Sequence, residues 1–242
     1  MYRWAYIILD IILGLFWLVF FITRKSLHKQ MLIMSILTGL LGPIAEFWFY
    51  QDYWRPGYLF TFHAPNWVFG IETFVWPFFI GGLGGVLYEA LLAKKMIKSG
   101  YRNSTLGPGL LFLVGLGVLI FLNNIIKINS IYACSIGFII SSLIIWLKRR
   151  DLVVNSLLSG LFVAILMLIN YILWFIFYSS QIVDRFWMLK NLSGVFILGV
   201  PIEELIWGFS WGMIAGPLYE FWQGMGEKHK NKHLSIIKFD KN

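Results

Sequence analysis

Cysteine is nearly absent from this chain. Cys134 stands alone in an apolar run, so no disulfide framework or cysteine metal site can be built. Charge is scarce as well: 13% of the residues are Asp, Glu, Lys or Arg, against about 25% in a soluble domain. That excludes an ordinary soluble protein, and an aromatic share of 19% excludes a disordered one. The four histidines, His28, His63, His229 and His233, are scattered over loops and the tail, so no metal is expected. There is no Asp-x-x-x-Asp or Asp-Asp pair for a metal-bound diphosphate, and no Gly-x-Gly-x-x-Gly following a strand for a flavin. The last apolar run has no lysine to form a Schiff base with retinal. What is present in abundance is apolar surface: 59% of the residues, with a mean hydropathy of +0.74. The composition is that of an integral membrane protein.

Seven segments are long enough to cross a bilayer: roughly 5–23, 31–50, 67–92, 109–126, 130–147, 152–178 and 195–221. The net charge of +8 says more about orientation than about nucleic acid, and no nucleic-acid partner is expected. Fifteen of the 20 basic residues follow the first, third, fifth and seventh segments, among them Arg24, Lys25, Lys94, Lys95, Arg102, Lys148 and Arg149. The other side has only Arg3, Arg55, Lys127, Arg185 and Lys190. The positive-inside rule then puts the N-terminus outside and the C-terminus in the cytoplasm; the location expected is the plasma membrane of a prokaryote. Arg24-Lys25 stops the first segment without a small-residue cleavage site, so it reads as a helix rather than a signal peptide. The polar, basic residues 223–242 read as a tail that lies against anionic lipid or is disordered.

Residues 70–89 and 201–220 align without a gap and share nine of twenty residues. The shared set includes Glu72/Glu203, Trp76/Trp207, Gly81/Gly212, Gly85/Gly216, Tyr88/Tyr219 and Glu89/Glu220. Shared Glu, Trp and Tyr at fixed offsets inside apolar helices mark an internal repeat. The predicted fold is therefore all-α: seven transmembrane helices as two parallel three-helix repeats joined by a linker helix, a 3+1+3 plan. Its parts are residues 1–105, the linker 106–127, 128–222, and the tail 223–242. Parallel repeats place a shared site where the two units face each other. The Gly-x-x-x-Gly spacing in both copies predicts close helix packing.

Seven of the 12 acidic residues fall inside these segments, where each costs a few kcal/mol unless it has a partner, a proton or a cavity. Glu89 and Glu220 sit at the cytoplasmic ends of their helices, where they can reach water or lysines. Asp10, Glu46, Glu72, Glu203 and Glu204 all lie one to two turns, roughly 6–12 Å, from the outer helix ends, with Asn170 at a similar depth. Trp76 is at i+4 from Glu72, Trp207 at i+4 from Glu203, and Trp211 at i+7 from Glu204, so acids and indoles share helix faces. Acids and indole faces at one depth, with no basic residue there, suit a reaction that passes through a carbocation. Adjacent Glu203 and Glu204 point about 100° apart and do different jobs. Pro201 is expected to bend the last helix beside them and make room for a ligand. In the second loop, Asp52, Trp54 and Arg55, with His63, Asn66 and Trp67, read as an aromatic interface belt with a local ion pair, or as a lid over the pocket.

Pro201-Ile202-Glu203-Glu204, leading into the last apolar helix of a 3+1+3 chain, resembles the Pro-x-Glu-Glu stretch of the lycopene cyclase domain family of the heterodimeric type. The resemblance implies two three-helix domains fused in one chain and cyclisation of the ψ-ends of linear carotenoids without net redox change or cofactor. It implies Glu203 and Glu204 as acid/base candidates, with Glu72 as the counterpart of Glu203. The first copy reads Gly70-Ile71-Glu72-Thr73, without the proline or the second acid. The expected chemistry is proton delivery by Glu203 or Glu204, ring closure, and proton removal by Glu72 or Glu46. Trp76, Trp207 and Trp211 would shield the cation from water. Partners on this reading are a lipophilic carotenoid, membrane lipids and other enzymes of carotenoid synthesis. The rival is a small membrane carrier with the same 3+1+3 plan, which would need polar residues along both halves of its path.

Overall fold

The computed structural model describes residues 2–98 and 107–227. Arg102, His229, His233 and the basic tail beyond Glu227 lie outside them. The chain is mostly helical. Helices α1 (Ala5–Thr23) and α2 (His28–Asp52) are followed by a hairpin, β1 (Thr61–Ala64) with β2 (Trp67–Gly70). Next come α3 (Glu72–Gly84), α4 (Leu87–Leu92), the short strand β3 (Met96–Lys98), and α5 (Pro108–Ile120), which continues as a π turn over Phe121–Ile125. Helices α6 (Ser130–Lys148) and α7 (Val153–Tyr178) follow, then the short α8 (Val183–Phe186). A second hairpin, β4 (Phe196–Ile197) with β5 (Val200–Pro201), leads into α9 (Ile202–Gln223) and β6 (Met225–Glu227).

Among the described residues, five helical stretches are long and apolar enough to cross a membrane: α1, α2, α5 with its π turn, α6 and α7. The third and seventh segments differ from expectation at their starts. Residues 67–70 and 196–201 are hairpin strands rather than the first turns of helices. The reason is local: Asn66, Leu198 and Gly199 turn the chain with positive φ (59°, 51° and 84°), and a helix cannot run through such residues. Pro201 likewise caps α9 instead of bending it. Its φ of −56° and ψ of 134° place it just before the first helical residue, where its missing N–H costs nothing.

The third segment is broken between Gly84 and Leu87, whereas α9 runs unbroken through Pro217. Helix α2 packs along α3, and α7 along α9. The Gly-x-x-x-Gly positions make these approaches. A Cβ on Gly81 would fall 1.8 Å from Thr38 Oγ1, and one on Gly212 2.5 Å from the Ser159 carbonyl. Thr38 Oγ1 also donates to the Pro77 carbonyl (2.7 Å) and Ser156 Oγ to that of Met213 (2.5 Å), stitching each pair of helices. Helix α1 packs against α3 and α7, and α5 lies on the outside against α6.

At the end where α3 and α9 finish, hereafter the lower end, Glu89 and Glu220 are buried rather than turned to water or lysine. Asn155 Nδ2 donates to Glu89 (3.1 Å), and Gln30 Nε2 to Glu220 and to the Gly85 carbonyl (both 2.7 Å). Strand β3 pairs antiparallel with β6, Lys94 bridges to Glu227 (2.5 Å), and Arg149 forks onto Asp151 (2.8 and 2.6 Å) while donating to the Met225 carbonyl. At the upper end, Asp52 accepts from Asn123 Nδ2 (2.7 Å) and from Ser130 Oγ (2.5 Å) and N. Arg55 does not pair with it: the guanidinium lies over the Tyr50 ring, 5.7 Å from its centroid.

Candidate active site

Between α2, α5 and α6, and backed by α3 and α9, lies a cavity of about 460 Å³. Its walls are overwhelmingly aliphatic and aromatic, and among the described residues no Lys, Arg or His lines it. Two carboxyl groups of the described residues do, Glu46 from α2 and Glu204 from the first turn of α9, both near the upper end. Trp76, Trp207 and Trp211 form one aromatic wall. The rings of Trp76 and Trp207 meet at 5.4 Å, Trp207 stacks on Trp211 (6.2 Å, 17°), and Phe138 packs edge-on against Trp207. An apolar hollow with a few convergent polar groups is the usual form of a small-molecule site.

Glu204 is held by three donors from three parts of the chain. Tyr171 Oη on α7 donates to its Oε2 (2.6 Å). Trp187 Nε1, just after α8, donates to Oε1 (2.7 Å), and Tyr53 Oη at the end of α2 donates to the same oxygen. Trp187 Nε1 also reaches Tyr53 Oη (3.0 Å), so the two oxygens and the indole form one closed set. Glu46 is held in a similar way by Tyr58 Oη and by Trp54 Nε1 (3.3 Å). Burial and the facing Glu46 push the Tyr58 hydroxyl well above its ordinary range, so it stays a donor. The loop carrying Tyr53, Trp54 and Tyr58 is pinned to the segment after α8: Arg55 N donates to the Phe186 carbonyl (2.6 Å) and Met188 N to that of Tyr53 (2.8 Å). Of these residues, Tyr53 and Trp54 line the cavity and close its upper end.

The structure separates the other predicted residues from this hollow. Glu203 points away from it. Its Oε1 accepts from Tyr132 Oη (2.6 Å) and from the Ser193 amide (2.7 Å). Glu72 does the same for the first loop, accepting from the Leu59 amide (2.6 Å). Both acids hold the chain that leads into their helix, and neither lines the cavity. Asp10 and Asn170 are buried outside it, and among the described residues both Asp10 oxygens and Asn170 Oδ1 lack a hydrogen-bond partner. Pro201 is outside it too. The second-loop residues do not form one group: Trp54 reaches Glu46, while Trp67 Nε1 donates to the Pro43 carbonyl (2.8 Å).

Tyr53, Tyr58, Tyr171 and Trp187 carry the geometry but escape a reading by sequence. Aromatic residues near helix ends look like an interface belt, and nothing in their spacing shows that they converge. Among the described residues, no group of three His, Cys, Asp or Glu side chains is placed to hold a metal ion.

Residues 129–222 match the family model for lycopene cyclase. This segment is similar to lycopene cyclase. No curated protein and no solved structure matches the chain. The matched segment spans α6, α7, α8 and α9 and includes Glu204, Tyr171, Trp187, Trp207 and Trp211. Glu46, Tyr53, Trp54 and Trp76 come from outside it, so the cavity is built from the matched segment and the preceding helices together.

Proposed function

We propose that the chain is a fused, single-chain lycopene-type cyclase that closes the ψ-end of a linear C40 polyene within the membrane, by acid catalysis and without redox change. The observation that carries the reading is Glu204. It is a buried carboxyl group at the edge of an apolar, tryptophan-walled cavity, held by three donors, in a segment that matches lycopene cyclase.

In the resting enzyme Glu204 carries a proton and delivers it to the terminal double bond of the ψ-end. A tertiary cation forms, and the neighbouring internal double bond attacks it, closing a six-membered ring with the positive charge now on a ring carbon. Glu46 removes a proton beside that carbon, restoring a double bond, and its position selects which double bond forms. One proton enters and one leaves, so substrate and product are isomers. Tyr53, Tyr171 and Trp187 stabilise the Glu204 carboxylate left behind, since donors aimed at a developing charge are worth most in a site without water. The faces of Trp76, Trp207 and Trp211 stabilise the cation and leave no room for a water molecule to trap it.

The architecture belongs to the same proposal. Counting α3 with α4 as one span and α9 as another gives seven spans in a 3+1+3 plan. The matching α2–α3 and α7–α9 packing, the hairpin before each of α3 and α9, and the contact of Trp76 with its counterpart Trp207 support two parallel repeats. Basic residues at the lower end support a cytoplasmic C-terminus. A carrier would need a polar route across the protein, and the cavity offers an apolar one.

The test is pigment analysis of a lycopene-accumulating bacterium that expresses the chain, beside Glu204→Gln and Glu46→Gln. Cyclic carotenes are expected from the wild type and not from Glu204→Gln. Lycopene that persists unchanged with well-expressed wild type rules the reading out.

A further inference from the structure

The cavity is roofed above but open at its side. Leu40 and Ile44 line it from α2, yet they are 64% and 39% exposed, and Gly109 lines it from α5 while also being exposed. Residues on two facing helices that both line the hollow and are exposed mark the rim of an opening. This mouth lies between α2 and α5. Above it the two helices are tied together, by Trp48 Nε1 donating to Asn124 Oδ1 (3.2 Å) and Asn123 donating to Asp52. Leu40 is eight residues below Trp48, about 12 Å along α2, and Gly109 in the first turn of α5 lies roughly 22 Å below Asn124, so the opening runs from the middle of a hydrocarbon core about 30 Å thick towards its lower edge. On its other side α5 is fixed to α6, where a Cβ on Gly137 would fall 2.8 Å from the Gly115 carbonyl. Lower on α5, a Cβ on Gly109 would meet no atom of the described residues within 4 Å.

We propose that this lateral mouth between α2 and α5 admits the reacting end of the substrate, while the rest of the chain stays threaded through it into the lipid. The inference rests on the cyclase reading above and adds the route and the binding mode. The mouth is rimmed by Leu40, Ile44, Gly109 and the neighbouring Phe112, so what passes it is apolar along its whole length. A polar group at the entering end would have to cross much of the hydrocarbon core to reach the hollow's upper end, at a cost of several kcal/mol. Beyond the mouth, the carboxyl groups of Glu46 and Glu204 wait at the hollow's upper end, so a polyene is drawn in end first. One end is bound at a time. The two ends of a symmetrical substrate are processed in separate visits.

The experiment places a removable plug in the mouth. Leu40→Cys and Gly109→Cys proteins in lipid nanodiscs are labelled with a bulky methanethiosulfonate, which a thiol later removes. Leu113→Cys, exposed on α5 outside the cavity, is the labelled control, and labelled wild type reports any reaction at Cys134. Two readouts are followed: conversion of lycopene, and quenching of tryptophan fluorescence as the polyene enters beside Trp76, Trp207 and Trp211. Labelling at Leu40 or Gly109 is expected to slow both at least tenfold, with recovery on thiol treatment, and labelling at Leu113 to change neither. Full rates with both mouth positions labelled would overturn the proposal. If unlabelled protein is quenched by lycopene without cyclising it, the cyclase reading fails, and loss of quenching on labelling still upholds the mouth. If unlabelled protein is neither quenched nor active, both fall.

Discussion

Two adjacent glutamates give the sharpest test of the site. Replacing Glu204 by Gln keeps the size of the side chain and removes its transferable proton. Its oxygen can still accept from Tyr53 and Trp187, and the Tyr171 hydroxyl can turn to accept from the new amide, so the fold should survive. Loss of a positioned general acid costs about 10²–10⁴ in rate, or roughly 3–5 kcal/mol of transition-state stabilisation. Glu203→Gln should behave in the opposite way. Both donors to Glu203, the Ser193 amide and Tyr132 Oη, meet Oε1, and a glutamine oxygen can keep both. Each bond falls from the charged class, about 1.5–3 kcal/mol, to the neutral class, about 0.5–1.5 kcal/mol. The protein should therefore lose about 1–3 kcal/mol of stability and change its rate by about threefold or less. The assay is chromatography of carotenes formed by purified protein in liposomes, paired with thermal unfolding of the same preparations. Equal loss of activity in the two variants, or an active Glu204→Gln, refutes the division of labour drawn here.

Tyr171→Phe removes the hydroxyl that donates to Glu204 Oε2 and should lower kcat/KM about 10- to 100-fold, corresponding to a hydrogen bond to a charged group of about 1.5–3 kcal/mol; lycopene turnover with a parallel stability measurement checks it. Trp207→Leu should slow the reaction about 3- to 30-fold, from a cation–π contribution of about 0.5–2 kcal/mol, and should release hydroxylated products where water traps the cation; mass spectrometry of the carotenes reads both. Gly212→Val has no space, because α7 passes where the side chain would go, so folded protein recovered from membranes should fall severalfold on size-exclusion analysis. Separate visits by the two ends predict that a one-ringed carotene builds up and then declines in a lycopene time course. Direct conversion to a two-ringed product without that intermediate would contradict end-by-end binding.

The long helices were legible because an apolar run that matches the bilayer in length must satisfy its backbone within itself, and a helix does so. Residues 5–23, 130–147 and 152–178 agree with α1, α6 and α7 to within a residue at each end. The starts of α3 and α9 were not legible. Trp67–Gly70 and Val195–Pro201 are as apolar as the helices that follow, and only the φ values at Asn66, Leu198 and Gly199 show that the chain turns there. Of the residues that line the cavity, counting carboxyl groups at one depth picked out Glu46 and Glu204, and helical spacing the three tryptophans of the wall. Spacing also singled out Glu203 and Glu72, whose direction is set by loop amides at Ser193 and Leu59 that no periodicity reveals. The tyrosines were missed for a related reason. Tyr53, just after α2, and Tyr171 on α7 are 118 positions apart in the chain and meet only through Glu204 in the folded protein.

The pairing of β3 with β6 bears on how such a protein can be encoded. It joins the stretch after α4 directly to the stretch after α9, and Gln30–Glu220, Asn155–Glu89 and Trp76–Trp207 hold the same two halves together without any covalent link. Opened between Lys98 and Pro108, the molecule would become two polypeptides that still share a register to reassemble in. Neither piece would carry both Glu46 and Glu204. Catalysis would then be a property of the pair, switched on by assembly, and matched production of the two pieces would set how much active enzyme a cell holds.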